Sequence, residues 1–330
     1  MKILVVGGAG YIGSQTVAEL IKTGHEAVIY DNLSTGYEML IHPEARFYLG
    51  DMLDKAQLSN VLAIESKKAP FDAVIVFAAK LVVPESLEQP LEYYQTNIEG
   101  LRIVLECMRD FNIKHIVFSS TAAVYGSPEE AVCVEDMPTK PINPYGSSKL
   151  AGEEMIRWVC DRYDMNYCIF RYFNVAGADT ELNLGLYHDH ITHVIPVIMS
   201  VALGIKEKFY IFGDDYDTPD GTCIRDYIHV IDLARAHVLG VEYLLKEKKS
   251  LLANLGSGGG YSVREILDVA RKHFEVPFEI APRRAGDPAK LIAHTGKAQE
   301  ILGFKPEYGI EEIILSDYAF RKKLAEKGIC

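Results

Sequence analysis

A glycine-rich turn between an apolar run and an amphipathic stretch constrains the fold of this chain most strongly. The run Lys2–Val6 is rich in apolar and β-branched residues, as expected of a buried parallel strand, and Gly7, Gly10 and Gly13 follow it. Glycines at this spacing permit a tight turn, a close approach of the backbone to a pyrophosphate and close packing of the helix that follows. A glycine pattern alone is more often a simple turn. Here the strand before it and the helical spacing of apolar residues after it favour a dinucleotide-binding turn.

An acidic residue at the end of the next apolar run bears on the cofactor. The predicted strand Glu26–Tyr30 is followed by Asp31, eighteen residues after Gly13. A carboxylate at this place accepts hydrogen bonds from ribose hydroxyls and repels a 2′-phosphate, so the sequence predicts NAD rather than NADP. Asp31 could instead cap a turn at the strand end, but that alternative does not explain the spacing.

Strand-like and helical runs alternate through the first half of the chain. This alternation predicts an α/β fold with a doubly wound parallel sheet, whose ligand lies at the carboxyl ends of the strands. Further strands are predicted at residues 46–49, 72–77, 114–118 and 166–171, and helices at 54–68, 91–110 and 144–163.

The sequence pattern changes after about Asn174. Turn-rich segments appear there, with helices predicted at residues 191–203, 230–245, 262–273 and 310–324. We therefore expect a first domain of residues 1–174 and a smaller, mixed α/β lobe of residues 175–330, parts of which return to pack on the first domain.

Composition disfavours several classes of function. An apolar content of 48% is typical of a soluble globular protein, the formal net charge of −12 disfavours a nucleic-acid surface, and no apolar run approaches a membrane span. The six cysteines lack disulfide-like or metal-like spacing, which predicts reduced thiols in the cytoplasm. His188, His190 and His193 lie close together but have no acidic or cysteine partner at helical spacing, so no metal is expected.

A tyrosine and a lysine one helical turn apart supply a candidate base. Pro144 suits the first position of a helix and Asn143 its N-cap, which places Tyr145 and Lys149 on one face. An ammonium beside a phenol favours the phenolate and should lower the pKa of Tyr145. This spacing often reflects packing alone, and Thr121, after a predicted strand, could merely cap a loop. Together with the glycine turn, however, the three side chains predict proton removal from an alcohol while NAD takes the hydride.

These motifs together resemble the extended short-chain dehydrogenase/reductase superfamily, and within it the nucleotide-sugar 4-epimerases. The likeness extends from Met1 to about Ala298 and is carried by residues 7–14, 90–94, 121, 145–149, 171–174, 220–230 and 281–287. It implies a Rossmann-like NAD domain with a UDP-sugar lobe, in a cytoplasmic homodimer of galactose metabolism. The implied reaction is the NAD-dependent interconversion of UDP-glucose and UDP-galactose, by inversion at carbon 4 through a 4-keto intermediate.

The resemblance also implies the residues of each site. Those for the catalytic step are Thr121, Tyr145 and Lys149. Those for NAD are Gly7, Gly10, Tyr11, Ile12, Gly13, Asp31, Asn32, Gly36, Asp51, Met52, Phe77, Ala78, Ala79, Asn97, Tyr145, Lys149 and Phe173. Those for the UDP-sugar are Thr121, Tyr145, Asn174, His193, Val194, Tyr210, Phe212, Arg225, Arg284 and Asp287.

Charge offers a separate physical reason for two of these residues. The forked cations of Arg225 and Arg284 suit a diphosphate, although either could be a surface ion-pair partner.

Two positions depart from the family pattern. Lys80 and Leu81 stand in the opposite order from the family's arrangement. Leu291, at the position that limits the sugar's 2-substituent, is neither a bulky aromatic nor a small residue, so acceptance of N-acetylated sugars stays open.

The alternatives are other nucleotide-sugar enzymes of the same fold, including UDP-hexosamine and UDP-uronate epimerases, and a non-catalytic dinucleotide-sensing protein. A dehydratase would need an Asp-Glu pair after Thr121, where this chain has Ala122 and Ala123. A sensing protein would usually lack the tyrosine and lysine, which this chain keeps.

Overall fold

The computed structural model describes residues 1–187, 192–283 and 288–328. The strands are β1 (Lys2–Val6), β2 (Glu26–Asp31), β3 (Arg46–Leu49), β4 (Ala73–Val76), β5 (His115–Thr121), β6 (Val132–Cys133), β7 (Asn166–Tyr172), β8 (Asn174–Ala176), β9 (Phe209–Phe212), β10 (Ile224–His229), β11 (Leu251–Leu255), β12 (Gly260–Ser262), β13 (Phe278–Ala281) and β14 (Lys290–Ala293). The α-helices are α1 (Tyr11–Lys22), α2 (Lys55–Ser66), α3 (Val83–Glu88), α4 (Pro90–Tyr94), α5 (Gly100–Asp110), α6 (Pro144–Tyr163), α7 (Val194–Ala202), α8 (Val230–Glu247), α9 (Val263–Arg271), α10 (Gly296–Leu302) and α11 (Ile310–Glu326).

A seven-stranded sheet forms the larger part of the molecule, and the predicted doubly wound parallel sheet is confirmed. Its order is β11-β7-β5-β4-β1-β2-β3, and every neighbouring pair is parallel. The chain winds outward from β1 in one direction and from β4 in the other. The gap between the carboxyl ends of these two strands is therefore the expected ligand site.

Apolar side chains cover both faces of this sheet. One core lies against α2, α5 and α6, and the other lies against α1, α8 and α10. The side chains of β1 alternate between these two cores, which explains why the run from Lys2 to Val6 is continuously apolar after its first residue. Each fully buried aliphatic side chain contributes roughly 1.5–3 kcal/mol, so the sheet is a rigid base for the residues at its edge.

Part of the chain after Asn174 returns to the large sheet. Strand β11 pairs with β7 in parallel, Leu251 opposite Cys168, and α8 packs beside α1. Sequence patterns do not indicate β11, because its short apolar run has no alternating pattern.

The smaller lobe has two sheets of its own. One contains β12, β10, β14 and β6, with β8 paired to β10, and it mixes parallel and antiparallel pairs. The other pairs β13 with β9. Apolar residues of α7, α9 and α11 form the core beneath them. The predicted smaller, mixed α/β lobe is confirmed.

Two further observations concern membranes and metals. Among the described helices, none is both long and apolar enough to cross a membrane. Within the same described ranges, no three His, Cys, Asp or Glu side chains are grouped as metal ligands. His188 and His190 lie outside the described residues.

Candidate active site

The glycine turn is closed as tightly as its sequence suggests. Gly7 has a φ of +85°, and a Cβ added there would lie 2.4 Å from the Ala78 amide nitrogen. A Cβ on Gly13 would lie 2.1 Å from the Gly7 carbonyl oxygen. Helix α1 begins at Tyr11 with Gly10 at its N-cap and no capping side chain. A tight turn whose helix end is uncapped by a side chain suits a dinucleotide pyrophosphate, so the residues present fit NAD.

The Asp31 carboxylate ties this turn to the loop that follows β2. One oxygen accepts the Ala9 amide at 2.9 Å, and the other accepts the Leu33 amide at 2.8 Å. Burial raises the pKa of Asp31, and these two amide bonds oppose the rise. A Cβ on Gly36 would approach both Ala9 and Asp31 at 3.0 Å, so the loop passes close to the turn. The remaining lone pairs of the carboxylate can accept ribose hydroxyls.

The residues after β3 adjoin this loop. The Asn32 side-chain amide donates to the Asp51 carboxylate at 2.8 Å. Met52 is buried, and its side chain fills the space next to Gly100. The residues that the sequence predicts to bind the adenosine part of NAD are thus grouped at the sheet edge beyond β2.

Asn97 joins the segment after β4 to α6. Its side chain accepts the Lys80 amide at 2.8 Å and donates to the Lys80 carbonyl at 3.0 Å and to the Ser148 hydroxyl at 2.9 Å. Asn97 lies in a π-helical turn, Gln95–Glu99, within the helix predicted over residues 91–110. Turns of this type often occur at functional sites. The periodicity of the sequence does not reveal the turn. Next to it, the amides of Phe77 and Ala78 both donate to the Val6 carbonyl.

The Lys80 ammonium is held by two carboxylates. It donates to Glu85 at 2.9 Å and to Glu92 at 2.8 Å, and these bonds, Glu92 first, raise the pKa of Lys80. Leu81, the next residue, is 53% exposed. Because Lys80 and Leu81 stand in the opposite order from the family pattern, the lysine charge lies in an ion-pair cluster with residues of α3 and α4.

Tyr145, Lys149 and Thr121 meet at the carboxyl end of β5. Helix α6 begins at Pro144, and its Asn143 N-cap accepts the Gly146 amide at 2.8 Å, which confirms the predicted start of the helix. Tyr145 is buried and lies close enough to the Thr121 hydroxyl for that group to lower its pKa. Strand β5 extends through Thr121, beyond its predicted end, because it pairs with β7 as far as Tyr172.

The charge states of this pair correct one expectation. Burial raises the pKa of Tyr145, and the bond to Thr121 opposes that rise without reversing it. Burial also lowers the pKa of Lys149 to about 7, since the side chain is 3% exposed. The Lys149 ammonium donates to the Ser119 carbonyl at 2.9 Å. The expected lowering of the Tyr145 pKa by a lysine cation is therefore wrong for these protein groups alone, because desolvation raises it.

Ser119 and Tyr172 belong to the same cluster and were not singled out in the sequence. Their hydroxyl groups are hydrogen-bonded, and burial raises the pKa of Tyr172 well above its ordinary value. A serine directly after a predicted strand carries no signal of such a contact. The register between β5 and β7, which pairs Thr121 with Tyr172, creates it.

A pocket of about 190 Å³ collects several of the residues expected to bind the sugar nucleotide. Asn174, His193, Val194 and Arg225 line it together with other residues of β8, β10 and α7. The Asn174 side chain donates to the Asp226 carbonyl at 2.9 Å, which joins β8 to β10.

Other expected residues lie elsewhere. Tyr210 and Phe212 share the exposed face of β9 and are not among the side chains that line this pocket. Phe173 packs with Leu291 in a small apolar cluster around Val124. Arg284 and Asp287 lie outside the described residues.

A covering segment, Gly177–Tyr187, lies against the glycine turn and α1. The Tyr11 hydroxyl donates to the Gly177 carbonyl at 2.6 Å, and the Gln15 side chain donates to the Leu184 carbonyl at 2.8 Å. Tyr37, from the loop after β2, meets Tyr187 edge to face with 4.1 Å between ring centres. Sequence patterns could not show these contacts, which join residues about 150 or more positions apart.

The fold agrees with the comparisons to known proteins. The chain belongs to the NAD dependent epimerase/dehydratase family, whose model matches residues 3–256. A UDP-glucose 4-epimerase of Streptococcus mutans serotype c is 48% identical over 324 residues, covering 97% of this chain and 96% of that relative. A crystal structure of a UDP-glucose 4-epimerase matches with a TM-score of 0.94 and 46% identity over 98% of both chains. Another, from Bifidobacterium longum in complex with NAD+ and UDP, matches with a TM-score of 0.90 and 37% identity over 98% of both chains. The resemblance to the 4-epimerases and the NAD-dependent class are confirmed.

Proposed function

We propose that this protein interconverts UDP-glucose and UDP-galactose by inverting carbon 4 through a 4-keto sugar. One observation carries the proposal: the buried Tyr145 phenol lies beside Thr121, and Lys149 is held by the Ser119 carbonyl, at the strand edge that also bears the turn of residues 7–13. The relatives, which are named UDP-glucose 4-epimerases over nearly their whole length, support the choice of substrate. UDP in the Bifidobacterium longum complex supports a uridine nucleotide.

The protein groups have distinct tasks in this reaction. The Tyr145 phenol first gives up its own proton to solvent, and the phenolate then takes the proton from the sugar's 4-hydroxyl while Thr121 orients the reacting oxygen by a hydrogen bond. The Lys149 side chain is held by the Ser119 carbonyl. Because its pKa is about 7, Lys149 can gain or lose a proton near neutral pH when Tyr145 changes its charge. Bound NAD would supply the hydride acceptor and return the hydride to the opposite face of the keto sugar, so no cofactor is consumed.

We further propose the cofactor and substrate residues given above as the binding groups, divided between a domain of residues 1–174 and a lobe of residues 175–330. Arg225, with Arg284, would bind the diphosphate, because a guanidinium forms two parallel hydrogen bonds to phosphate oxygens. The pocket shared by Asn174, His193 and Arg225 supports this placement.

Product analysis tests the proposal directly. The purified protein is incubated with UDP-galactose, the UDP-sugars are separated by chromatography, and absorbance at the NADH band is followed. We expect UDP-glucose to form without a net change in absorbance. NADH accumulating in proportion to product would instead indicate an ordinary dehydrogenase, and no epimer with NAD supplied would contradict the proposal. Adding UDP-N-acetylgalactosamine in parallel decides whether Leu291 admits the larger sugars.

We also propose a cytoplasmic homodimer acting in galactose metabolism. The described cysteines are free thiols, which supports a reducing compartment.

Three large apolar side chains support the homodimer. They are Leu87 on α3, Leu91 on α4 and Trp158 on α6, which are 63%, 81% and 77% exposed, and α6 packs against both other helices. Such an exposed apolar face is typical of a protein–protein interface. Light scattering should give twice the chain mass, and Trp158→Glu should reduce it to one chain. Cell fractionation tests the compartment.

A further inference from the structure

Three consecutive residues of β5 each interact with a residue of α6. Thr121 contacts Tyr145, the Ser119 carbonyl accepts from Lys149, and the Ser120 hydroxyl donates to Glu153 at 2.5 Å. The three partners on α6 are spaced four residues apart, so they follow one another along one face of the helix. Two of these contacts hold the proposed base and its lysine. The third contact, between Ser120 and Glu153, involves no group that is assigned to the reaction.

Arg171 fixes the Glu153 carboxylate from the neighbouring strand β7. Its guanidinium donates to both carboxylate oxygens, at 2.8 and 2.6 Å, and both side chains are almost fully buried. A further guanidinium nitrogen donates to the Tyr125 hydroxyl at 3.2 Å, and Tyr125 donates to Asn254 of β11 at 2.7 Å. The pair therefore links α6 to three adjacent strands of the large sheet.

Stability alone is a weak reason for such a pair. Buried ion pairs pay a large desolvation cost, and well-packed apolar replacements are often neutral or stabilising. A fork-to-fork contact does, however, fix the distance and angle between two elements more closely than apolar packing does. Glu153 lies one turn beyond Lys149, and its partner Ser120 lies between Ser119 and Thr121 on β5. The ion pair therefore fixes the distance between α6 and β5 beside the proposed base.

We propose that Glu153 and Arg171 are positioning residues that hold Tyr145 and Lys149 in register with Ser119 and Thr121. They set the rate of proton transfer and leave substrate affinity unchanged. This inference rests on the proposed function, because it assigns Tyr145 as the base.

The charged groups around Tyr145 explain why loss of the Glu153–Arg171 ion pair should shift the pH dependence of turnover. The titratable groups that influence Tyr145 from α4 and β7 are Tyr93 and Tyr172, and burial raises the pKa of both well above neutrality, so they stay uncharged. On α6 itself the ionisable side chains are Lys149, Glu153 and Arg157, and Arg157, which is partly exposed, approaches Glu153 at 3.4 Å. Removing either member of the Glu153–Arg171 pair therefore changes the net charge near the base by one unit.

The test compares Glu153→Gln and Arg171→Met with the wild-type holoenzyme in UDP-galactose turnover. We expect kcat to fall at least about tenfold in both variants, with KM unchanged within about twofold. The acid limb of the kcat profile should move to lower pH in Glu153→Gln, where a cation is left, and to higher pH in Arg171→Met, where an anion is left. Each shift should be roughly one pH unit, as for a unit charge roughly 10 Å away at an effective dielectric constant of about 20.

Glu65→Gln is the matched control, because Glu65 is also fully buried and ion-paired, with Lys2 at 2.9 Å, at the opposite end of the sheet. Its kcat and pH profile should stay at wild-type values once corrected for folded protein by circular dichroism. Equal losses in Glu65→Gln and Glu153→Gln, or an unmoved acid limb in both pair variants, would overturn the proposal.

Ser120→Ala keeps the ion pair and removes only its contact to β5, so it remains informative if Glu153→Gln does not fold. It should lower kcat about threefold or more at constant KM, and an unchanged kcat would refute the positioning role. Wild-type turnover is measured first, so an inactive wild-type protein would count against the proposed function and not against the role of the pair.

Discussion

Replacing Lys149 by methionine should make the stability of the protein respond differently to pH. Burial lowers the pKa of this lysine from its ordinary value of 10.5 to about 7. Between those values the unfolded chain binds a proton that the folded protein does not, so the wild-type free energy of unfolding rises with pH. The slope is about 1.4 kcal/mol per pH unit, and the whole window is worth on the order of 5 kcal/mol. Below pH 7 both states are protonated and the wild type bears the full cost of burying the ammonium.

Lys149→Met removes this contribution while keeping a side chain of similar length. Relative to wild type, the variant should therefore have its largest stability advantage below pH 7 and should lose about 2 kcal/mol of that advantage between pH 7 and pH 9. The lost hydrogen bond to Ser119 adds an offset that does not depend on pH over this range. Urea unfolding of NAD-stripped protein at several pH values measures the difference directly.

Lys246→Met, at a position that is 83% exposed, is the control and should follow the wild-type curve. A stability difference between Lys149→Met and wild type that is constant across pH 7 to 9 would refute the argument, because it would mean that Lys149 keeps an ordinary pKa in its buried site.

Three further predictions concern the site. Tyr145→Phe should lower turnover by ~10² or more with UDP-sugar binding little changed, since it removes the proton acceptor and keeps the ring; near-normal turnover would contradict the assignment. Arg225→Ala should weaken UDP binding by roughly 1.5–3 kcal/mol in calorimetry, the range for charge-assisted hydrogen bonds, and an unchanged affinity would exclude a diphosphate contact. Tyr11→Phe and Gln15→Leu should each speed NAD loss during dialysis about two- to tenfold, because each removes one hydrogen bond to the covering segment. Thr23→Ala, at the far end of α1, serves as control, and equal NAD loss in all three variants would argue against that segment as a retaining element.

The elements that the sequence predicted well are those whose signals are local. The strand Lys2–Val6, the turn with Gly7 and Gly13, and the start of α6 at Pro144 all agree with the structure. Each depends on residues within a few positions of one another: an apolar run, glycines where a Cβ would clash, and an N-cap followed by proline. Such signals determine backbone conformation directly, so they need no knowledge of tertiary contacts.

The features that escaped prediction depend on distant partners. Strand β11 is a short apolar run that becomes a strand by pairing with β7, and the π-helical turn at Asn97 is stabilised by contacts to Lys80 and Ser148. The burial of Lys149 is of the same kind. Its sequence position shows that it faces Tyr145, but the degree of desolvation, which sets its pKa, depends on the whole surrounding shell.

That desolvation gives a physical reason for the buried charges near the base to be paired. Tyr145 and Lys149 both favour their uncharged forms in the folded protein, so a single unbalanced charge nearby would shift both pKa values strongly in a medium that screens it poorly. The neighbouring phenols stay protonated, and the buried Glu153 carboxylate is matched by the Arg171 guanidinium. The ion pair can therefore supply rigid geometry next to the base without adding net charge. A single polar residue at either position would leave a charge unmatched, and an apolar pair would give up the contact to Ser120.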